Sequence, residues 1–152
     1  MAQTRAIAAA GRAGVAFRIH TYEHDPARGS YGLEAAEKLG LDAVRVFKTL
    51  VVDTAGRLAV ALVPVTAQLD LKAVGKRTTM AEDHAAERAT GYVLGGISPL
   101  GLRRPLPTML DASAIAHETI YLSAGRRGLE IELDPQDLVR LTGAEVRAIA
   151  RA

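Results

Sequence analysis

Few residues in this chain have the types and spacing to do chemistry, and Lys48 is the first of them. It lies in Val44-Arg45-Val46-Phe47-Lys48-Thr49-Leu50-Val51-Val52, a run rich in β-branched residues. The twofold period of a strand puts Lys48 in one row with Val44, Val46, Leu50 and Val52. The other row carries Arg45, Phe47, Thr49, Val51 and Asp53, so Lys48 is the lone charge on the more apolar face. An ammonium taken out of water must find a partner or give up its proton. One reading is a cavity lysine that holds an anionic or carbonyl oxygen of a ligand. The plainer alternative is a lysine that snorkels past the sheet rim or pairs with a core carboxylate.

The second candidate is Gly91-Tyr92-Val93-Leu94-Gly95-Gly96-Ile97-Ser98-Pro99-Leu100-Gly101. Glycines let backbone N–H groups come close to a ligand, so Gly95-Gly96 could polarise a carbonyl. A tight connection between elements explains the same string. No Gly-Lys-Ser/Thr follows, which excludes a phosphate-binding P-loop. Ser98 is no nucleophile elbow, because Pro99 after it has no N–H to complete an oxyanion hole. The third candidate is the basic turn Arg126-Arg127-Gly128. It enters a segment in which Leu129, Ile131 and Leu133 alternate with Glu130 and Glu132, the pattern of a half-buried strand. Arg126 and Arg127, with Arg103 and Arg104, could meet phosphates; a solvated turn is the commoner meaning of such arginines.

Other chemistries are excluded or weakly supported. With no cysteine there is no disulfide, zinc finger, iron–sulfur site or thiol nucleophile. His20 and His24 are four residues apart, about 13 Å along a strand, too far for one metal. His84 has no histidine partner at helical spacing and His117 is isolated, so neither a metal nor a cofactor is expected. Aromatic residues make up 4% with no tryptophan, which argues against a base-stacking surface. The net charge of +2 permits a local nucleic-acid patch without demanding one. Arg12 and two glycines interrupt the N-terminal apolar run, so it does not read as a signal peptide. No uncharged stretch approaches the ~20 residues of a membrane helix. A cytoplasmic protein with no membrane partner is expected.

The elements that must position these residues read as one mixed α+β domain over residues 1–152. Helices are expected at 4–13 (with Thr4 near its start), 33–39 (with Ser30 as a cap), 70–74 (with Asp70 as a cap), 80–88 and 135–141 (with Asp134 as N-cap). Gly14, Gly40, Gly91 and Gly143 stand at or after helix ends. Strands are expected at 17–23, 44–53, 57–63, 108–111, 118–123 and 129–133. A hairpin turn is expected at Thr54-Ala55-Gly56, and residues 144–149 fit either a strand or a helix. Without regular βαβ alternation, a dinucleotide-binding fold is disfavoured. The fold class that follows is α+β, a mixed, barrel-like sheet core flanked by helices.

The strings HTYEHDP (20–26), VFKTLVV (46–52), TGYVLGGISPLG (90–101), LPTMLD (106–111) and ETIYLSAGRRGLEIEL (118–133) together resemble the YbaK/EbsC family of Cys-tRNA(Pro) deacylases. The resemblance runs through essentially the whole chain in order. It implies a trans-editing enzyme that removes cysteine from mischarged tRNA(Pro), an error that arises because apolar pockets separate small side chains weakly. It implies Lys48 as the group that anchors the aminoacyl ester, and Gly95 and Gly96 as the backbone lining its pocket. Tyr22, Tyr31, Ser98, Ser123 and Glu130 are implied as substrate-binding positions, with Tyr31 standing where phenylalanine is common. In this family the substrate's own thiol attacks the ester carbonyl, so the protein supplies positioning and polarisation. The implied partners are mischarged tRNA(Pro) and prolyl-tRNA synthetase. Two other readings stay open: a deacylase for Ala-tRNA(Pro) or another mischarged tRNA, and a non-catalytic module that binds tRNA or a synthetase.

Overall fold

A computed structural model describes residues 3–28 and 31–152, the side chain of Tyr31 excepted; the expected cap at Ser30 lies outside the described residues. Local chemistry starts and stops the helices. Helix α1 (Arg5–Ala13) begins where Thr4 Oγ1 accepts from Ile7 N at 3.1 Å, and it buries Ala6, Ile7 and Ala10. Strand β1 (Phe17–Thr21) ends two residues earlier than expected. Helix α2 (Tyr31–Leu39) follows.

The expected strand at 44–53 starts late. Asp42 accepts from Val44 N and winds Ala43–Arg45 into a 3₁₀ turn, so strand β2 runs Phe47–Thr54. Side-chain capping overrides the β propensity of Val44 here. Ala55 and Gly56, both at positive φ, turn the chain into β3 (Arg57–Pro64). Short elements come next: β4 (Gln68–Leu69), α3 (Leu71–Val74) capped by Asp70, and β5 (Thr78–Met80). Met80 was expected in a helix but pairs with Val52 at a sheet edge. Helix α4 (Asp83–Thr90) starts only after Glu82, whose carboxylate accepts from His84 N and Ala85 N. The chain ends with β6 (Thr108–Asp111), β7 (Ile120–Arg126), β8 (Leu129–Leu133), α5 (Pro135–Thr142), β9 (Glu145–Arg147) and β10 (Ala150–Arg151).

The strands form a five-stranded sheet in the order β5-β2-β3-β6-β9, a three-stranded sheet β1-β8-β7 and a β10-β4 pair. This is the expected mixed α+β architecture, with its sheets open and not closed into a barrel. Phe47, Val51, Val60 and Leu62 share one core with Leu122, Leu129, Ile131 and Leu133 and with the apolar stripe of α1. Val52, Ala61, Val63 and Met109 form a smaller core with Leu69 and Ile149. Each of the larger side chains contributes roughly 1.5–3 kcal/mol by leaving water.

β8 is the central strand of its sheet and is covered on both faces, which corrects the half-buried reading. Leu129, Ile131 and Leu133 enter the main core, while Glu130 on the opposite face is also buried. Among the described residues no helix is long and apolar enough to cross a membrane.

Candidate active site

The first half of β2 runs along a cavity of about 310 Å³ and lines it with Phe47, Lys48, Thr49 and Leu50. The row of Phe47 and Val51 enters the main core, and the row of Leu50 and Val52 backs onto the smaller one. Lys48 stands in the row of Leu50 and Val52, as the strand period requires, and it is part-exposed. Among the described residues no carboxylate or carbonyl pairs with it, and burial lowers its pKa. On the far side, the first turn of α2 closes over Val65. A Cβ on Gly32 would sit 2.2 Å from Val65 Cγ1, and both residues line the cavity.

The glycine loop forms another wall through Leu94, Gly95 and Ile97. Its two central glycines do different work. Gly95 faces the cavity, and its N–H has no acceptor among the described residues. The N–H of Gly96 is spent on Val93 O at 2.9 Å. Gly96 instead gives room for the β7–β8 hairpin, since a Cβ there would lie 2.7 Å from Arg126 Cα. Ser98 is fully buried and does not reach the cavity; its Oγ accepts from Leu100 N at 3.3 Å and shapes the loop. Arg127, at the hairpin tip, donates from Nε and Nη2 to Leu94 O at 3.1 and 2.8 Å, tying hairpin to loop. Arg126, Arg103 and Arg104 are exposed.

The three-stranded sheet completes the enclosure with Ser123 and Glu130, which pair directly across β7 and β8. Ser123 Oγ accepts from Gly125 N at 3.2 Å, next to a β-bulge. Glu130 is 7% exposed and carries no ion pair among the described residues, so burial pushes its carboxyl up to about 8. Tyr22 lies outside the lining, but burial and then the charge of Glu130 push its phenol up to about 12. Tyr31 opens α2, and its side chain lies outside the described part.

Thr49 is the lining residue that sequence reasoning passed over. Its Oγ1 is buried and has no hydrogen-bond partner among the described residues. A hydroxyl flanked in its row by Phe47 and Val51 was the available signal. A larger cleft, about 430 Å³, opens between α1, residues 99–102 and α5, where the exposed Arg12 is the only charged lining residue among the described residues. The smaller cavity is the better candidate because unpaired ionisable groups converge there. Among the described residues no group of three or more His, Asp or Glu side chains is arranged to hold a metal.

An unpaired ammonium and a free N–H lining the same cavity can polarise a bound carbonyl, and a neutral carboxylic acid can meet a polar group beside it. Such a site suits acyl chemistry at an ester. The chain belongs to the aminoacyl-tRNA editing domain family, whose profile matches residues 26–141. It is 38% identical over 122 residues to EbsC of Enterococcus faecalis, whose name proposes a Cys-tRNA(Pro)/Cys-tRNA(Cys) deacylase; the match spans 75% of this chain and 73% of that protein. It is 28% identical over 118 residues to the uncharacterized YwhH of Bacillus subtilis, spanning 74% of this chain and 75% of that one. A solved structure proposed to be a trans-editing enzyme for prolyl tRNA synthetase superposes over 100% of both chains with a TM-score of 0.85 at 24% identity, which establishes the shared fold.

Proposed function

We propose that this chain acts, as one domain over residues 1–152, as a deacylase that removes cysteine from mischarged tRNA(Pro). The observation that carries the reading is the cavity in which, among the described residues, Lys48 and the Gly95 N–H stand without partners and no activated nucleophile lines the wall. The Ser123 hydroxyl has no histidine beside it in the lining. His20 and His24 are each held by a glutamate, at 2.9 and 2.7 Å. The identity with EbsC supports the same substrate class.

In this reading the ester carbonyl lies against Lys48 Nζ and Gly95 N–H, which stabilise the oxygen as negative charge develops. The substrate's thiol sulfur bonds to the carbonyl carbon, the bond from that carbon to the ribose oxygen breaks, and the thiol proton ends on the ribose. Water then opens the cyclic thioester to free cysteine. Glu130, whose burial favours the protonated form near neutrality, takes the α-ammonium as a carboxylate, because the pairing offsets the desolvation that holds its proton on. With a net charge of +2 and few aromatics, the protein itself separates tRNAs weakly, and a complex with prolyl-tRNA synthetase supplies the choice of tRNA(Pro).

The test is a panel of Cys-, Ala- and Ser-charged tRNA(Pro), plus Cys-tRNA(Cys), against the wild type and Lys48→Ala. The expected result is loss of cysteine from both tRNAs, little action on alanine or serine, and a fall of at least about 100-fold for Lys48→Ala. Comparable rates on alanyl or seryl esters would remove the thiol from the mechanism. Binding of tRNA without turnover would leave a non-catalytic module.

A further inference from the structure

Two walls of the cavity meet behind it, at the start of α1, which lies outside the stretch matched by the family profile. Arg5 donates from Nη2 to Thr90 O at 2.9 Å and from Nε to Gly101 O at 3.0 Å. Those carbonyls stand at the two ends of the loop that presents Gly95. The guanidinium lies 5.2 Å from the centre of the Tyr92 ring, and Tyr92 Oη donates to Leu100 O at 2.6 Å, closing the loop on itself. The neighbouring residue reaches the other wall: Thr4 Oγ1 donates to Ala124 O, on the strand that carries Ser123.

Close approach on both sides requires glycine. A Cβ on Gly91 would fall 1.8 Å from Arg5 Nη2, and one on Gly101 would fall 2.6 Å from the Arg5 backbone. Gly91 and Gly101 thus make room for Arg5, while Gly95 faces the cavity.

We infer that Thr4 and Arg5 form a clamp that fixes the Gly95 loop relative to β7, and that Arg5 is a positioning residue for deacylation. The activity arm of this inference rests on the deacylase reading; the structural arm does not. A planar guanidinium bridges two carbonyls while lying over a ring, which a lysine ammonium cannot reproduce. Loosening the loop displaces the Gly95 N–H from the developing oxyanion, a loss felt in the transition state more than in binding.

The experiment combines amide hydrogen exchange with steady-state deacylation of Cys-tRNA(Pro) for the wild type, Arg5→Met, Arg5→Lys and Thr4→Val. In Arg5→Met the amides of residues 91–101, Gly96 among them, are expected to exchange faster while the β2–β3 hairpin is unchanged. The kcat is expected to fall about tenfold with KM within about twofold. Arg5→Lys recovers part of the loss, and Thr4→Val loosens the 123–126 stretch. If Arg5→Met does not fold, Arg5→Lys and Thr4→Val carry the test alone. Unchanged exchange at 91–101 overturns the clamp, and faster exchange at wild-type kcat overturns the positioning role of Arg5. A wild type without turnover sinks the deacylase reading, and the exchange result then decides the clamp by itself.

Discussion

Glu34 and Glu130 are both buried carboxylates, at 0% and 7% exposure, on elements that flank the same cavity. Their surroundings drive them in opposite directions. For Glu34, burial favours the neutral acid, but Asp25 N at 2.8 Å, His24 Nδ1 at 2.7 Å and Lys38 Nζ at 3.1 Å outweigh it and pull the carboxyl down to about 2. For Glu130 nothing opposes burial, and the carboxyl rises to about 8. The first arrangement fastens the loop after β1 onto α2 and is complete without a ligand. The second leaves a desolvated group short of a partner, as a site awaiting substrate does.

The sharpest way to break the comparison is Glu34→Gln. Removing one member of a buried charged network strands the others, so a loss of about 3–5 kcal/mol is expected at neutral pH in denaturant unfolding. The folded pKa is depressed, so the stabilisation is fully present above about pH 4.5 and is lost as pH falls toward about 2. Wild type and variant should converge in acid. Glu130→Gln should do the reverse, gaining on the order of 5 kcal/mol above pH 8 and almost nothing below pH 4.5. The folded pKa of Glu130 is raised, so the wild type loses stability relative to the variant as pH climbs from about 4.5 to about 8. A pH-independent difference would mean that Glu130 has an undetected partner.

The contrast between these glutamates was only half legible in the sequence. Caps are local, so Thr4, Asp70 and Asp134 marked their helix starts correctly. The β2–β3 hairpin followed from its turn residues, and the strand at Thr108–Asp111 from its own composition. The alternation in Leu129–Leu133 told that Glu130 and Glu132 share a face. It could not tell that the face is covered, because the cover comes from α2 and β2, far away in sequence. The strand period alone puts Lys48 in the row of Leu50 and Val52, but which of the two cores that row meets depends on distant elements. That Gly96 is spent on the hairpin and Ser98 on the loop itself are likewise facts of tertiary approach.

Glu132 sharpens the same contrast within a single strand. It lies two residues from Glu130 on the same face of β8, yet Thr119 Oγ1 donates to it at 2.6 Å, His20 Nε2 at 2.9 Å, and Arg45 stands 3.8 Å away. Burial raises its pKa, but hydrogen bonds from Thr119, His20 and Tyr121 prevail and lower it. The side chain keeps 14% exposure, so water shares the work and the network is weaker than that around Glu34. Glu132→Gln should therefore cost only about 1 kcal/mol at neutral pH. Its sign matches Glu34: the difference shrinks as pH falls through the carboxylate range. It should leave deacylation near the wild-type rate, because Glu132 is absent from the cavity lining. A stability gain at high pH, as expected for Glu130→Gln, would mean that a position on β8 and not the presence of donors sets the behaviour, and the distinction between a held carboxylate and an awaiting one would fail.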